Sequence, residues 1–262
     1  TIVVTEADKF PKFHEKIKKY ENSGVYYDFI ELPEGEPFHR TRYLNEMLAG
    51  VSSPITINYD ADVILPIESY IEARDMIKNE SYDLVYPFQK SSESQLNIQI
   101  HEQLPIKDII DNNFTNFGDC TQGYSQTGYG CCQFFNTDSY RNGYMENESF
   151  ISWGPEDYER FYRFDKLGYK IGRTGSVVVH FDHPREGKDG RDNPFLNSNI
   201  NLYDALNFNK NKFKYYQEFH ISEANRLTVL KFCKMFWKKF KCKGKIRYKY
   251  KKKQSTNHVS HK

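Results

Sequence analysis

The chain has 262 residues, of which 38% are hydrophobic and 27% are charged, and its formal net charge is +2. This length and composition suit one substantial globular domain, or a domain with an appendage, and exclude a peptide-sized module and wholesale disorder. No run approaches the roughly 20 apolar residues of a bilayer span, and the N-terminus lacks the order of a secretory signal, so we expect neither membrane spanning nor classical export.

Hydrophobic runs alternate with helical patterns along the first third of the chain. Strands are predicted at 1–5, 25–32, 54–59 and 82–86, and helices are predicted at 11–20, 40–48 and 67–78. This alternation predicts an α/β fold with crossover connections between its strands.

The rest of the chain is less regular. Residues 88–130 are polar, with one short apolar run, and such a long insertion is typical of a binding loop or lid. A strand is predicted at 131–135, a helix at 155–167, and a hairpin at 169–180. The five cysteines include no C-x-x-C pair, so they give no zinc or disulfide signal and suit a reducing compartment.

Asp60 and Asp62 directly follow the predicted strand at 54–59. Two carboxylates at the end of a buried strand are costly unless a cation compensates them. Because open α/β sheets bind ligands at the carboxyl ends of their strands, the pair favours a divalent metal with a phosphate ligand. A solvated turn is the alternative, since a lone D-x-D often occurs by chance.

The segment Trp153-Gly154-Pro155-Glu156-Asp157 places two acids in the first turn of a predicted helix. The helix dipole alone favours acids there, which is one explanation. The other explanation is chemical, because the chain has only two Trp. A Trp beside two carboxylates supplies an apolar wall for a sugar ring and raises carboxylate basicity.

His180 and His183 follow the apolar run at 177–179. Two histidines three residues apart can share one metal, and imidazole with carboxylates makes a mixed site that suits manganese. A lone surface histidine pair is more often inert. All three clusters follow predicted strands, however, so one open sheet can bring them to a common edge.

Taken together, these motifs resemble a known enzyme family. Phe38-x-Arg40-x-x-x-Leu44-Asn45, Asp60-x-Asp62, Trp153-Gly154-x-Glu156-Asp157 and His180-x-x-His183 follow one another in the order seen in the GT-A glycosyltransferases of the family-2-like and β-1,4-galactosyltransferase type. The resemblance implies a GT-A fold, which is an open, mostly parallel sheet flanked by helices. It implies a catalytic domain at 1–205 and leaves a basic helical tail at 206–262. Residues 1–6 resemble the second strand of such folds, which implies that the opening strand is not in this chain.

The resemblance also implies donor and metal residues. Asp62 would bind Mn2+ or Mg2+, and Asp60 would contact the donor ribose or a metal-bound water. His183 and His180 would complete the metal site.

Other residues would bind the rest of the donor, namely Arg40, Asn45 and, near the nucleotide base, Glu6. On the acceptor side, the resemblance implies that Asp157 takes the proton of the acceptor hydroxyl. Glu156 would be the second catalytic acid, and together with Trp153 and Gly154 it would shape the acceptor site.

The implied activity is metal-dependent, inverting transfer of a hexose, with Gal or GalNAc favoured, from a UDP donor to a hydroxyl of a glycan or lipid-linked acceptor. The chemistry is coherent without the family, because a diphosphate leaving group needs its charge neutralised and a hydroxyl nucleophile needs a base. The main alternative is a haloacid-dehalogenase-type phosphatase with Asp60 as nucleophile, but that mechanism leaves the Trp153 cluster and the two histidines without a role.

The tail carries the positive charge of the chain. From Arg226 onward there are 14 Lys or Arg and no Asp or Glu, so the preceding residues hold 23 basic and 35 acidic groups. Apolar residues recur at helical spacing within 223–240, which predicts a helix at an anionic membrane surface, with residues 223–253 as the contact. A helix docked on the acidic body ranks equally, and a nucleic-acid-binding module ranks behind both. We expect a cytoplasmic protein that is peripheral at the inner membrane face.

Overall fold

A computed structural model describes residues 1–32, 35–93, 95–99, 106–111, 114, 122–125, 128–182 and 193–207. The strands are β1 (Ile2–Asp8), β2 (Val25–Glu31), β3 (Ile55–Tyr59), β4 (Val63–Ile64), β5 (Leu84–Tyr86), β6 (Gln95–Gln99), β7 (Gln122–Ser125), β8 (Cys132–Asn136), β9 (Ile171–Arg173) and β10 (Val178–Asp182). The helices are α1 (His14–Lys18), α2 (Arg40–Ala49), α3 (Ile67–Glu80), α4 (Ile106–Asp111), α5 (Thr137–Asn142), α6 (Glu156–Lys166) and α7 (Leu196–Asn207), with a short 3-10 helix at Glu21–Ser23.

Two sequence-based predictions fall outside these residues. They are the metal ligand His183 and the basic membrane-contacting segment at 223–253. Across the part of the chain that is described, no helix is both long enough and apolar enough to cross a membrane.

The described strands form three sheets. β1 pairs with β2, a second sheet has the order β3-β8-β5-β9, and a third has the order β4-β10-β6-β7. The predicted α/β class is confirmed, with sheets flanked by helices. β1 and β2 run parallel. The other two sheets are mixed rather than mostly parallel, because β10 runs antiparallel to β4 and β8 runs antiparallel to both β3 and β5. The physical reason is that the chain enters β8 after β6, α4 and β7 instead of one crossover helix.

The hairpin predicted at 169–180 is wrong. β9 pairs with β5, whereas β10 pairs with β4 and β6, so the two strands belong to different sheets. A glycine at the centre of a predicted hairpin indicates a turn, but Gly172 lies within β9. A Cβ at that position would lie 2.5 Å from Met76 and 2.7 Å from Tyr82, so this glycine serves close packing against α3.

The β3-β8-β5-β9 sheet supports the main hydrophobic core and also fixes the position of the C-terminal end of β3. Buried apolar side chains of β5 and β8 pack with α3 in this core. Tyr59 pairs with Cys132 at the last register position of β3, and the Asp60 amide then donates to the Cys131 carbonyl at 2.8 Å. The backbone at Asp60 is therefore tied to the strand that runs beside it.

A second layer places the other candidate residues. β10 pairs antiparallel with β4, with His180 opposite Val63, and the Phe181 amide donates to the Asp62 carbonyl at 2.8 Å. The D-x-D turn and the start of the H-x-x-H motif thus meet through strand register. On the other side, α7 contributes Leu206 to a small core with Phe150, close to the start of α6 in sequence.

Candidate active site

Three carboxylates from two distant segments converge on the guanidinium of Arg40. Its Nη2 donates to Oδ1 of Asp60 at 2.6 Å, and its Nη1 lies 3.5 Å from Oδ1 of Asp157 and 3.8 Å from Oε1 of Glu156. The structure therefore brings together the predicted donor arginine, the D-x-D motif and the W-G-x-E-D motif. Arg40 and Asp157 are 117 residues apart in the sequence.

Arg40 begins α2, and the helix dipole disfavours a cation at that end. The converging carboxylates offset this cost. Burial alone would lower the pKa of Arg40, but the charges of Asp60, Asp157 and Glu156 raise it, so the guanidinium stays protonated. The dipole explains why acids are favoured at the start of α6, but it does not explain their convergence on Arg40.

The carboxylates of the site differ in their environment. Burial raises the pKa of Asp60, and the Arg40 charge opposes this shift. Burial and then the Asp157 charge raise the pKa of Glu156 to about 8. Glu156 is 5% exposed, and its Oε2 has no hydrogen-bond partner within the described residues. Burial thus favours the protonated form of Glu156, while the charges of Arg40 and Arg160 favour its carboxylate.

Asp157 is also held from inside the protein. Arg160, one turn along α6, donates through Nη2 to Oδ1 of Asp157 and through Nη1 to both carboxylate oxygens of Glu146, at 2.7 Å each. Sequence reasoning did not find Arg160 or Glu146. The i, i+3 spacing of Asp157 and Arg160 is a weak signal for the first, and no sequence pattern points to Glu146.

Two of the predicted metal ligands come together where β4 meets β10. The Nε2 atom of His180 lies 3.4 Å from Oδ2 of Asp62. A carboxylate oxygen and an imidazole nitrogen suit Mn2+ as a donor pair. Within the described ranges no group of three His, Cys, Asp or Glu side chains is clustered for a metal, and Asp60 is engaged with Arg40. Asp62 and His180 thus fit two positions of the predicted site.

Charge favours a cation here as well. The carboxyl groups of this region outnumber its guanidinium groups. The carboxyl groups are those of Asp60, Asp62, Asp157, Glu146 and Glu156, and the guanidinium groups are those of Arg40 and Arg160. A divalent ion would balance that excess.

Trp153 presents its indole to solvent, with 40% of the residue exposed, three positions before Glu156. Its carbonyl accepts hydrogen bonds from Nδ2 of Asn193 at 2.6 Å and of Asn199 at 3.1 Å, so the loop is tied down on its backbone side. A Cβ on Gly154 would lie 2.7 Å from Nδ2 of Asn199, which shows that this glycine permits the close approach of α7. An exposed, anchored indole is suited to pack on a sugar ring.

Two other predicted donor residues make contacts within the fold rather than with the Arg40 cluster. Asn45 donates to the Glu146 carbonyl at 3.0 Å and accepts from the Glu146 amide at 2.9 Å, so it positions the segment that carries Glu146. Glu6 accepts from the Tyr27 hydroxyl at 2.6 Å and from the Lys12 amide at 2.9 Å, which ties the loop after β1. Their roles toward a donor stay predictions.

Gly130 is a further residue of the site, because its missing side chain leaves room for the carboxylate of Asp157. A Cβ there would lie 2.8 Å from Oδ2 of Asp157, whose carboxylate Arg40 and Arg160 prevent from moving freely. Displacements near 1 Å can cost up to about 100-fold in rate. We therefore expect Gly130→Ala to lower kcat about 10- to 100-fold for a reaction in which Asp157 takes part. Gly175→Ala is the matched control, since nothing lies within 4 Å of its Cβ. Equal kcat values for the two variants would contradict the placement.

No family model matches the chain, and no curated protein matches it. Solved glycosyltransferase structures are similar to it. A Drosophila β-1,4-galactosyltransferase 7 mutant, in complex with manganese, UDP-Gal and xylobiose, is 12% identical over 70% of this chain and 72% of its own, with a TM-score of 0.40. Glucosyl-3-phosphoglycerate synthase of Mycobacterium tuberculosis, with Mn2+, UDP-glucose and phosphoglyceric acid, is 12% identical over 70% and 61%, with a TM-score of 0.38.

GalNAc-T7, in complex with UDP, GalNAc and Mn2+, is 12% identical over 89% of this chain and 51% of its own, with a TM-score of 0.45. These neighbours belong to the class of enzyme that the sequence motifs resemble.

Proposed function

We propose that the chain is a metal-dependent glycosyltransferase of the GT-A type. It would move a hexose, with Gal or GalNAc favoured, from a UDP donor to a hydroxyl of a glycan or lipid-linked acceptor, with inversion. The observation that supports this most directly is the convergence of Arg40, Asp60 and Asp157. It joins the residues proposed for the donor to the base proposed for the acceptor.

In this mechanism the acceptor oxygen attacks the sugar C1 as the bond from C1 to the diphosphate oxygen breaks. Asp157 takes the proton of the attacking hydroxyl, and Arg40 keeps Asp60 and Asp157 in one arrangement. Glu156 lies beside this base and, in its protonated form, donates a hydrogen bond to the sugar, while Trp153 supplies the apolar face. When bound, a divalent ion would be held by Asp62 with His180 and His183, and would neutralise charge on the leaving diphosphate.

This arrangement of side chains does not favour the phosphatase alternative. Its nucleophile, Asp60, is bound through Oδ1 to Arg40. The acids at the start of α6, which share that guanidinium, have no part in phosphomonoester hydrolysis.

The experiment that tests the proposed function is a screen of nucleotide sugars for slow hydrolysis in the presence of Mn2+. Such hydrolysis identifies the donor without knowledge of the acceptor. Phosphomonoesters serve as the comparison substrates. Release of phosphate from these, with every nucleotide sugar left intact, would favour the phosphatase.

We further propose that the protein is cytoplasmic and peripheral at the inner membrane face, where residues 223–253 contact anionic lipid. The support is the sequence, in which 12 of the 23 residues at 231–253 are basic and apolar residues recur at helical spacing. Lipid-linked acceptors would then lie at the surface to which the enzyme binds.

We predict that the 262-residue chain sediments with anionic vesicles at low salt and is released as salt rises. Each basic residue near the surface contributes about 1 kcal/mol, so replacing both Lys238 and Lys239 with Gln should weaken binding roughly 30-fold. The matched control replaces Lys16 and Lys18, two exposed lysines of α1, with Gln and should leave vesicle affinity unchanged. If the unchanged protein does not bind anionic vesicles at low salt, the alternative of a tail helix docked on the acidic body is favoured.

A further inference from the structure

Arg160 is a fully buried cation behind the candidate active site, with 0% of its side chain exposed. Its Nη1 bonds both oxygens of Glu146, and its Nη2 donates to Oδ1 of Asp157. Arg160 therefore connects a carboxylate in the protein interior to the proposed catalytic base.

Three separate elements hold the other end of this connection. Oε1 of Glu146 also accepts from the Tyr140 hydroxyl at 2.6 Å and from Nδ2 of Asn58 at 3.2 Å. The Glu146 amide donates to Oδ1 of Asn45 at 2.9 Å. Because α5, β3 and α2 each contribute one of these contacts, the orientation of Glu146, and with it that of Arg160, is determined by the packed body of the protein.

A buried ion pair is weak evidence of a stabilising role, because taking two charges out of water is costly and apolar side chains of similar volume are often as stable or more so. A buried guanidinium that reaches a reactive carboxylate therefore invites a functional explanation. Arg163 provides a comparison within α6, since it is also buried but pairs with Glu159 and bonds the carbonyls of Gly143 and Met145.

The two oxygens of Asp157 are used differently. Both guanidinium groups that reach this side chain, those of Arg40 and Arg160, do so through Oδ1. Within the described residues no hydrogen bond reaches Oδ2, which lies against the backbone of Gly130. One oxygen is thus occupied by cations, and the other is available to accept a proton.

We infer that Arg160, held by Glu146, is a positioning residue that occupies Oδ1 of Asp157 and presents Oδ2 to the acceptor hydroxyl. This inference rests on the proposed function, because it assigns the oxygen that takes the proton in that reaction. It adds two residues that the sequence motifs do not contain.

The test is Arg160→Lys, which keeps the charge but cannot bind Glu146 and Asp157 together in the same way. We expect kcat for transfer to fall about 10- to 100-fold, since the base is displaced, while KM for the donor changes less than about twofold. Arg163→Lys is the matched control, a buried arginine of the same helix. It should lower the unfolding temperature to a similar extent and leave kcat unchanged.

The change is then repeated in the Asp157→Asn background. If Arg160 acts through Asp157, Arg160→Lys causes no further loss of the residual transfer there, because the group it positions is already disabled. An equal further loss in both backgrounds would assign Arg160 a structural role only. Unchanged kcat in a folded Arg160→Lys chain would also overturn the inference.

A second variant covers the case in which Arg160→Lys does not fold. Glu146→Gln keeps the size of the side chain and weakens its hold on Arg160, so kcat should fall in the same direction, and unchanged kcat overturns the inference. Asp157→Asn alone separates the two levels of the argument. Full transfer by that variant would remove the base of the proposed function, whereas its inactivity beside a fully active Glu146→Gln would remove this inference alone.

Discussion

The Asp157→Asn variant is expected to lose about 10³-fold in kcat for transfer while it binds the nucleotide-sugar donor nearly as tightly as the unchanged chain. The amide has the shape of the carboxylate, and its oxygen can still accept from Arg40 and Arg160. It cannot take the proton of the acceptor hydroxyl, and that transfer matters only in the transition state. Initial rates and donor calorimetry measure the two quantities.

Asp165→Asn is the matched control, because Asp165 lies near the other end of α6 and is exposed. It should change neither kcat nor donor affinity. If Asp157→Asn instead abolishes donor binding, Asp157 is a donor ligand or supports the donor site. If it transfers at the normal rate, another group is the base.

Helix α6 shows what sequence patterns can and cannot predict. The helix itself was predicted at 155–167 and is observed at Glu156–Lys166. Its buried face, however, is mostly charged and consists of Glu156, Glu159, Arg160, Arg163 and Phe164. A hydrophobic pattern places such residues in solvent. The charged ones are buried with partners of opposite charge, Glu159 with Arg163 inside α6, Arg160 with Glu146, and Glu156 with Arg40. A pairing with a residue outside the helix, such as Glu146 at 14 residues' distance, leaves no local pattern in the sequence.

The convergence of the site was partly predictable. The sequence predicted that the motifs would meet, and Asp60 does contact the Arg40 guanidinium that the acids of α6 also approach, while Asp62 lies beside His180. The predicted means, strand ends at one edge of one sheet, is wrong, because β3 and β10 belong to different sheets, His180 lies within β10, and a loop precedes α6. The direction of each strand was not predictable, since apolar runs look alike in parallel and antiparallel pairs. The hairpin at 169–180 failed for a related reason, because a glycine that allows close packing looks in sequence like one that allows a turn.

Loss of the proposed metal should have the second large effect, a fall in donor affinity. We expect Asp62→Asn to lower donor affinity in Mn2+ by about 100-fold or more, and a chelator should do the same to the unchanged chain. The physical reason is that the excess of carboxylates in the site must be balanced before a diphosphate can approach. Donor calorimetry with Mn2+ and with chelator gives both affinities, and the EPR signal of Mn2+ reports binding of the ion independently of activity.

Asp75→Asn is the control for the substitution itself, because Asp75 is a half-buried residue of α3 whose carboxylate pairs with the adjacent Arg74. It should keep the full difference in donor affinity between Mn2+ and chelator. In Asp62→Asn that difference should vanish, because the carboxylate that would hold the ion is lost while Arg40, Asp60 and Asp157 keep their contacts. If the unchanged chain binds donor equally well in chelator, Arg40 and Arg160 alone offset the negative charge of the site, and the proposed metal has no part in donor binding.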